Sequence, residues 1–302
     1  MSARLRKGSI DGNMTVRDNA MTLREIQLYK LGVTADIASI CDRHGIKYIL
    51  HYGTLLGAIR HGGFIPWDDD VDIAVPWSDY IRLMDVLKKE YSEKYYVQNI
   101  WTDRKFPLLW TQIRVNGTTS MPVEYSSYDI HWGMCIDVFA LVRAEEDEKK
   151  RANRKKKIAL VKKLLAKEFL DLTNQGTRSR RQRLINMIPN RLRRFIVFMI
   201  LRKIARNPEE NGLVSPLQNP RKIYSYADIL RTDKHVFEGK QFSVPMGYDQ
   251  VLKTEYGNYM VLPPEEKRGG HEQDLGRIIN DVHKDYRDYQ SELASMNRSE
   301  LD

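Results

Sequence analysis

The segment GFIPWDDDVDIAV, residues 63–75, places four aspartates at positions 68, 69, 70 and 72 ahead of β-branched residues. Alternate side chains of a strand share a face, so Asp70 and Asp72 should lie on one surface, with Cα atoms about 7 Å apart. Two ionised carboxylates at about 5 Å repel by roughly 3 kcal/mol at an effective dielectric of 20. Residues 64–80 hold five aspartates and no Lys or Arg. A divalent cation such as Mg²⁺, which takes oxygen ligands, would supply the missing positive charge.

Two other interpretations of this segment need no magnesium. An Asp-rich turn exposed to water before a strand requires no ion. A calcium loop would use Asp68, Asp70 and Asp72 as its first ligands and Asp79 as its twelfth, but Ile73 occupies the sixth position, where the loop needs Gly. A β-branched residue at positive φ is strongly disfavoured, which argues against the calcium loop. On this segment alone, the solvated turn and the magnesium site both remain open.

Two further segments carry related chemistry. Gly53 and Thr54 follow a predicted strand and open a short helix whose first N–H groups could hold a phosphate, with Arg60 and His61 near its far end. Asp137 interrupts the apolar run CIDVFAL, residues 135–141. A buried Asp costs free energy unless it is paired or ligated. Asp137 is therefore either a hydrogen-bonded core residue or a further metal ligand.

Hydrophobic periodicity indicates the elements that must position these residues. Thr22 and Glu25 have the spacing of a helix capping box, and apolar residues follow at helical intervals as far as Gly45. Strands are predicted at 47–52, 70–75, 95–98, 109–115, 134–141 and 222–226, and helices at 77–91, at 248–256 and from Glu272 onward. This order favours an α/β (α+β) fold, a mixed sheet flanked by helices with a basic helical insert. The succession of a strand, a Gly-Thr turn, a short helix, an Asp-x-Asp strand and a third Asp on a later strand resembles the order found in nucleotidyltransferase-fold enzymes, so the sheet is expected to be nucleotidyltransferase-like.

Composition narrows the class of protein. A chain of 302 residues, 42% of them hydrophobic, can bury a sizeable core. The basic N-terminus is not followed by an apolar stretch of signal-peptide length, and the longest apolar run, residues 195–201, is too short to span a bilayer. Cys41 and Cys135 are too few for a disulfide framework, which fits a reducing compartment. We therefore expect a cytoplasmic protein, with peripheral contact at the inner membrane face as the remaining option.

The net charge of +9 is unevenly distributed. Residues 149–206 contain 20 Lys and Arg against two acidic residues, a net +18, whereas the rest of the chain sums to −9. We expect two or three helices here, interrupted at residues 174–176 and at Pro189. Residues 180–206 alternate cationic clusters with apolar runs, which suits an anionic membrane surface. A core-facing helix with a solvated basic side is the alternative. Nucleic acid is not expected, because aromatic residues for base stacking are few.

The motifs together resemble a known family. GTLLGAIRHGGFIPWDDDVDIAV looks like the signature of the LicD family, which includes phosphocholine transferases of bacterial surface glycopolymers and fukutin-type sugar-alcohol-phosphate transferases. CIDVFAL and the later FEGKQFSVPMGYDQVLKTEYGNYMVLPPEEKRGGH resemble its downstream blocks. The resemblance covers roughly residues 46–141 and 236–271. It divides the chain into an N-terminal helical segment (1–45), a catalytic core (46–144), a basic insert (145–215) and a C-terminal part completing the active site (216–302).

The resemblance implies transfer of phosphocholine from CDP-choline to a hydroxyl of a glycan or lipid-linked glycan, of teichoic acid or lipopolysaccharide type, with release of CMP. A donor carrying ribitol or glycerol phosphate on CDP is the alternative within the family. Asp70, Asp72 and Asp137 would hold one or two Mg²⁺ ions, and Asp137 could also act as the base. Because choline is usually held over aromatic faces, the candidate substrate-binding residues combine phosphate contacts with aromatic rings: Gly53, Thr54, Arg60, His61, Trp67, Trp101, Trp110, Trp132 and His271.

Overall fold

The computed structural model describes residues 21–172, 180–268 and 278–299. These ranges contain the helices α1 Leu23–Arg43, α2 Tyr52–His61, α3 Trp77–Glu90, α4 Glu148–Leu172, α5 Arg180–Met187, α6 Asn190–Ile204, α7 Tyr226–Leu230, α8 Tyr248–Tyr256 and α9 Tyr286–Ser299. The strands are β1 Ile49–Leu50, β2 Asp72–Pro76, β3 Tyr95–Gln98, β4 Thr111–Val115, β5 Thr119–Pro122, β6 Cys135–Ala144, β7 Leu213–Pro216, β8 Tyr224–Ser225, β9 Thr232–Phe237, β10 Lys240–Pro245 and β11 Ile278–Asp281.

A seven-stranded mixed sheet organises the molecule. Its order is β1-β2-β6-β4-β3, with β7 paired to the second half of β6 and β8 paired to β7. The β2–β6 pair is parallel and the other pairs are antiparallel. The long strand β6 therefore lies at the centre, between β2 and β4 in its first half. The predicted mixed sheet flanked by helices is confirmed.

Helix α1 begins where the sequence predicts. The Thr22 hydroxyl accepts the Glu25 backbone N–H, and the Glu25 carboxylate accepts the Thr22 backbone N–H, which completes the capping box. Its buried face packs on one large core that includes α3, both ends of β6 and the insert helices. A second, smaller core of Met121, Ile130, Trp132 and Ile279 joins β5 to β11.

Several strands differ from the sequence-based prediction. Strand β1 has two residues rather than six, and β2 begins at Asp72 rather than Asp70. The β9–β10 hairpin was not predicted, because β9 is exposed along most of its length and so lacks an alternating apolar pattern. Strand β11 was also missed; helix α9 follows it, and residues 272–277 of the predicted C-terminal helix lie outside the described residues.

The basic insert is helical, as predicted. Helices α5 and α6 are separated at Pro189, which is the N-cap of α6, whereas the predicted break at 174–176 lies outside the described residues. Helix α4 buries Ile158, Val161, Leu164 and Leu165 against the main core. No helix within residues 21–172, 180–268 and 278–299 is long and apolar enough to cross a membrane. The four-part division of the chain stays a prediction, and β7 runs across its boundary at residue 215.

Candidate active site

The parallel pair β2–β6 places two of the predicted aspartates side by side. Asp72 and Asp137 are register partners on adjacent strands, so their side chains project from the same face of the sheet. The Asp137 backbone N–H donates to the Val71 carbonyl at 2.8 Å, and the Asp72 backbone N–H donates to the Thr54 hydroxyl at 2.8 Å. These two hydrogen bonds hold the backbone at Asp72 and Asp137, and the backbone in turn sets the distance between the two carboxylates.

Asp70 occupies a different environment from the one predicted. It lies ahead of β2, in the loop that leads into the strand, and its side chain is 52% exposed. The strand geometry used to pair Asp70 with Asp72 is therefore wrong. The Asp70 carboxylate still acts electrostatically on both Asp72 and Asp137. The three residues thus share one acidic edge of the sheet, which we define as Asp70, Asp72 and Asp137.

Two N–H donors orient Asp137. The Trp110 indole Nε1 donates to Oδ2 at 2.8 Å, and the Gln112 amide Nε2 donates to Oδ1 at 3.0 Å. Gln112 is the register partner of Asp137 on β4, and its own carbonyl oxygen accepts from the Arg114 guanidinium. Asp137 is therefore both hydrogen-bonded and adjacent to Asp72, so the two interpretations of this residue are compatible.

Burial and mutual repulsion perturb the acidic edge. Burial, then the charges of Asp137, Asp70 and Asp68, raise the pKa of Asp72 well above its ordinary value, and the Gly53 backbone N–H opposes this rise. Burial and the charge of Asp70 raise the pKa of Asp137 to about 6, and the Gln112 N–H opposes that rise. Perturbed carboxylates of this kind are concentrated at functional sites.

The start of helix α2 packs directly on these carboxylates. A Cβ atom added to Gly53 would lie 2.9 Å from Asp68 Oδ2 and 3.9 Å from Asp72 Oδ2. Only glycine allows this approach without a shift of Asp68, and the partial positive charge of the helix N-terminus favours the nearby negative charge. Asp68 of the aspartate cluster thus faces the acidic edge from the loop that precedes β2.

The other residues predicted on α2 have distinct environments. Thr54 is buried and its hydroxyl is used within the protein, as the acceptor for Asp72. Arg60 lies about 10 Å from Gly53 along the helix, at ~1.5 Å per residue. Its Nη1 donates to the Tyr259 carbonyl at 2.7 Å, and burial lowers its pKa, as it does that of His61. Gly53 and Arg60 therefore mark the two ends of α2.

A counter-charge for the acidic loop comes from helix α1. The buried Lys30 Nζ lies 2.7 Å from Asp69 Oδ2 and 3.7 Å from Asp70 Oδ1. Burial alone would lower the pKa of Lys30, but Asp69, Asp70 and Cys135 raise it above its ordinary value, so the side chain stays cationic. One turn earlier, the Gln27 amide donates to the Asp68 carbonyl at 2.8 Å. Helix α1 thus holds the loop at two points.

Sequence analysis missed this lysine, although a signal was present. Lys30 stands on the stripe formed by Ile26, Val33 and Ile37, all of which are buried. A charged residue on the apolar face of an amphipathic helix is rarely buried unless it is paired. Residues 64–80 contain no Lys or Arg, and the partner of Asp69 lies 39 positions earlier in the sequence.

The β9–β10 hairpin contacts the loop that connects α2 to the acidic edge. The Glu238 carboxylate accepts the Phe64 backbone N–H at 3.0 Å and pairs with Arg24 of α1 at 2.6 Å. The Glu238 backbone N–H donates to the Gly62 carbonyl at 3.0 Å. The hairpin carries the FEGKQF motif noted in the sequence. This motif therefore holds the loop around residues 62–64, which leads from α2 to the acidic edge.

Aromatic rings lie next to the acidic edge. Tyr52 meets Phe139 edge-on at 5.0 Å between ring centroids, and Trp110 lies 5.7 Å from the same Phe139. Tyr256, at the end of α8, is 44% exposed. Desolvation and the charges of Asp72, Glu255 and Asp68 raise the pKa of Tyr256, and the charge of Arg60 opposes this rise. Tyr52 and Tyr256 were missed because tyrosines are frequent throughout the chain.

The remaining predicted aromatic residues are dispersed. Trp110 is the one tryptophan that donates to Asp137. Trp67 lies 6.4 Å from the His61 ring and 5.7 Å from the Arg268 guanidinium. Trp132 is buried in the second core, where its Nε1 donates to the Tyr128 carbonyl. Trp101 is exposed beside α3 and α6. His271 lies outside the described residues.

A separate cleft near β3 and α9 lies apart from the acidic edge. It has a volume of about 760 Å³ and is lined by residues that include Tyr96, His131 and Tyr286. His131 stacks on Tyr96 at 4.9 Å between centroids. Both aspartates of this cleft already have partners: Asp103 accepts from the Gln98 amide, and Asp129 accepts from Lys105, which also lines the cleft. Its chemistry therefore differs from that of the acidic edge.

The donor set at the acidic edge fits magnesium. Across the described parts of the chain, no three His, Cys, Asp or Glu side chains are grouped closely enough to hold a metal ion by themselves. Mg²⁺ is usually bound by one or two carboxylates together with water and substrate phosphates rather than by a cage made only of protein. Asp72, with a raised pKa and a neighbouring Asp137, provides such carboxylates. The residues present thus match what a substrate-completed site needs.

Comparison with known proteins matches one part of the chain to a known family. Residues 45–173 match the family model described as the LicD/FKTN/FKRP nucleotidyltransferase domain. This part of the chain is similar to the LicD family. The matched range contains the whole acidic edge and also helix α4, which the sequence motifs had left outside the resemblance. Helix α1 and the β9–β10 hairpin, which hold the signature loop, lie outside the matched range.

Two relatives illustrate the breadth of the LicD family. The chain is 28% identical over 275 residues to Lipopolysaccharide cholinephosphotransferase LicD of Haemophilus influenzae, which covers 83% of this chain and 96% of that protein. It is 44% identical over 57 residues to Ribitol 5-phosphate transferase FKRP of Homo sapiens, which covers 19% of this chain and 10% of that protein. Both relatives are phosphotransferases by name, and they differ in the group that they transfer.

Proposed function

We propose that this chain is a LicD-family phosphotransferase that moves phosphocholine from CDP-choline to a hydroxyl of a surface-glycan precursor, with release of CMP. The observation that carries the proposal is the Asp72–Asp137 pair on adjacent parallel strands, at the start of helix α2. The similarity to a lipopolysaccharide cholinephosphotransferase over most of both chains supports choline as the headgroup. A lipopolysaccharide or teichoic acid precursor would be the acceptor.

The acidic edge would perform the transfer as follows. Asp70 and Asp72 would hold Mg²⁺, together with the oxygen lone pairs of Asp137 that Trp110 and Gln112 leave free. When bound, Mg²⁺ would neutralise the diphosphate oxygens and the leaving CMP phosphate. Asp137, with a pKa raised to about 6, would accept the proton of the acceptor hydroxyl. The acceptor oxygen then bonds to the phosphorus of phosphocholine as the bond from that phosphorus to CMP breaks.

The α2 helix and its neighbours would bind the donor. The Gly53 end offers backbone N–H groups to the diphosphate, and Arg60 and His61 offer positive charge or hydrogen bonds at the other end. The rings of Tyr52, Trp110 and Tyr256 would surround the quaternary ammonium, which binds over aromatic faces. Trp67 extends this set beyond the acidic edge, whereas the buried Trp132 would contribute through packing.

A ribitol or glycerol phosphate donor carried on CDP is the second candidate. The match to a ribitol 5-phosphate transferase favours it, although that match spans 57 residues. A polyol needs hydrogen-bonding partners rather than aromatic faces. The aromatic rings beside Asp72 and Asp137 therefore favour choline, and direct competition between donors distinguishes the two candidates.

The acceptor is proposed to be a glycan or a lipid-linked glycan, reached from the cytoplasmic side of the inner membrane. A lipid-linked acceptor would require the enzyme to approach a membrane surface. Residues 180–206 are the segment that we expect to make this contact.

The proposal is tested by measuring CMP release with Mg²⁺ and each of CDP-choline, CDP-ribitol and CDP-glycerol, with a deacylated surface-glycan acceptor. We expect CDP-choline to be preferred at least about tenfold, the difference expected from about 1.4 kcal/mol of cation–π contact. Asp72→Asn should reduce the rate about 10³-fold, a loss typical of removing transition-state stabilisation. Asp129→Asn, on an exposed surface aspartate, is the matched control.

Two outcomes would contradict the proposal. Full turnover by Asp72→Asn would remove the acidic edge from catalysis. Equal or faster release of CMP from CDP-ribitol would replace choline with the polyol while leaving the phosphotransferase assignment intact.

A further inference from the structure

Helix α6 exposes apolar residues on the side that faces away from the core. Leu192, Phe195 and Phe198 are 49%, 58% and 44% exposed, and their spacing of three residues places them along one stripe. An ordinary surface helix carries charged or polar residues on this side. The core-facing side of α6 is already occupied by Val197, Leu201 and Ile204. The exposed stripe is therefore a second apolar face, not a displaced core face.

One arginine of this helix is buried. Arg193 is 2% exposed, and its guanidinium donates to the Leu164 carbonyl of α4 at 2.7 Å and to the Ile188 carbonyl at 3.2 Å. The adjacent Arg194 donates to the carbonyls of residues 100 and 104. These contacts fix the rotation of α6 on the body of the protein. Because α6 is anchored in this way, exposure of its phenylalanines is a property of the packed structure.

The exposed stripe continues into an apolar groove. Phe198 lines a groove of about 390 Å³ between α3 and α6, together with Ile81, Met84 and Trp101. Ile81 and Trp101 are also exposed. The groove and the α6 stripe together form one surface, which we call the α6 face and define by Leu192, Phe195, Phe198, Ile81 and Trp101.

Positive charge borders the α6 face. Residues 180–206 contain nine Lys and Arg and no acidic residue. Arg191, Arg202 and Lys203 are exposed and form no ion pair with any described residue. Arg202 and Lys88 reach the groove itself, and the one acidic residue that lines it, Asp85, forms an ion pair with Lys89. Exposed aromatic and aliphatic side chains bordered by cations are typical of surfaces that lie in the headgroup region of an anionic bilayer.

We infer that the α6 face docks on an anionic lipid bilayer, with Phe195, Phe198 and Trp101 in the interfacial region and the arginines on lipid phosphates. This docking does not depend on which group the enzyme transfers. A second copy of the chain is a poorer occupant, because an isologous dimer would bring two strongly cationic surfaces together. RNA bases could also stack on exposed aromatic rings, but the face belongs to no recognised nucleic-acid module, so RNA binding is treated as a competing outcome of the experiment.

The experiment is co-sedimentation of the full chain with phosphatidylcholine vesicles, with and without phosphatidylglycerol. We expect binding to the anionic vesicles that weakens as salt is added. The double variant Phe195→Ser/Phe198→Ser should lose about tenfold or more in partitioning, since each ring loses apolar contact area. The variant Arg191→Gln/Arg202→Gln should lose about fivefold per charge on anionic vesicles only. Val236→Ser, on an exposed apolar residue of β9, is the control and should bind as wild type does.

Fluorescence tests the orientation independently of partitioning. Brominated lipids should quench Trp101, and Trp101→Phe should remove the quenched component while leaving the other tryptophans unaffected. Equal vesicle binding by wild type and the double phenylalanine variant would overturn the inference. So would RNA binding without vesicle binding, or a dimer in solution that Phe195→Ser/Phe198→Ser dissociates.

Discussion

The acidic edge and the α6 face concentrate charge in opposite ways. At the acidic edge and its loop, Lys30, Trp110, Gln112 and the Gly53 N–H supply partners from within the protein. At the α6 face, Arg191, Arg202 and Lys203 remain exposed to solvent and lack ion-pair partners in the part of the chain that the structure describes. The carboxylates of the acidic edge are thus held by neighbouring groups of the protein, whereas these three cations are left to solvent, as the proposed membrane docking requires.

The buried carboxylates and the exposed cations should respond differently to mutation. A buried carboxylate pair costs free energy, so its neighbours must hold it in place, and mutation there should affect stability as well as activity. Exposed cations and apolar side chains contribute little to the folded state, so mutation there should affect binding alone.

The largest stability effect is expected at Lys30. Lys30→Met removes the cation from a buried pair and leaves Asp69 uncompensated, which should lower the free energy of unfolding by about 3 kcal/mol. Arg202→Met, at the α6 face, should change it by less than about 0.5 kcal/mol. Urea unfolding at pH 7 measures both changes.

A second substitution tests the reason for the Lys30 effect. Adding Asp69→Asn to Lys30→Met should recover part of the loss, since the buried charge is then removed. If the double variant is as unstable as the sum of the single variants, Lys30 stabilises the protein through packing and not through its charge.

The sequence predicted the residues of the acidic edge, but it did not predict the residues that hold them in place. Asp72 and Asp137 were predictable because an aspartate inside an apolar strand is unusual, and the strand order brought them together. The extension of β2 to Asp70 was wrong, because Asp70 lies in the loop ahead of the strand, which begins at Asp72. Lys30 and Glu238 act from distant elements, and nothing in the local spacing connects either of them to the acidic loop.

The α6 face shows the complementary case. Periodicity identified its helices and Pro189 correctly, but it left both the membrane interpretation and the core-facing interpretation open. Composition does not decide which apolar residues are buried, because α6 has enough of them for two faces. The contact of Arg193 with α4 determines which side of α6 faces the core, and this contact depends on tertiary packing.

A smaller effect is expected from His51, whose backbone N–H donates to the Asp72 carbonyl at 2.9 Å. Both ring nitrogens are buried without a hydrogen-bond partner among the described residues, and burial lowers the pKa to about 3. Below an unfolded pKa of about 6.5, the unfolded chain binds a proton at His51 that the folded chain does not, so stability falls as the pH decreases toward 3. Between pH 7 and pH 5 this loss is about 2 kcal/mol.

His51→Phe should remove that part of the pH dependence, as measured by urea unfolding at pH 7 and pH 5. Because the comparison is between two pH values for each variant, any packing cost of the substitution cancels. Phe195→Ser is the matched control, since residues 180–206 contain no histidine. Identical pH slopes for wild type and His51→Phe would show that His51 is protonated or paired in the folded protein.

The smallest expected effect is that of Mg²⁺ on stability. It tests directly whether the acidic edge, and not the α6 face, holds the ion. Asp72→Asn removes one of the repelling carboxylates and should stabilise the metal-free protein by about 1 kcal/mol. Mg²⁺ at ten times its dissociation constant should stabilise wild type by about 1.4 kcal/mol and Asp72→Asn by much less. Arg202→Gln should respond as wild type does, because the α6 face takes no part in holding the ion. Thermal unfolding with and without MgCl₂ measures these differences.

An equal response of wild type and Asp72→Asn would mean that the ion binds elsewhere. The repulsion between the buried carboxylates would then have to be relieved by a proton on Asp72, which the raised pKa of Asp72 favours.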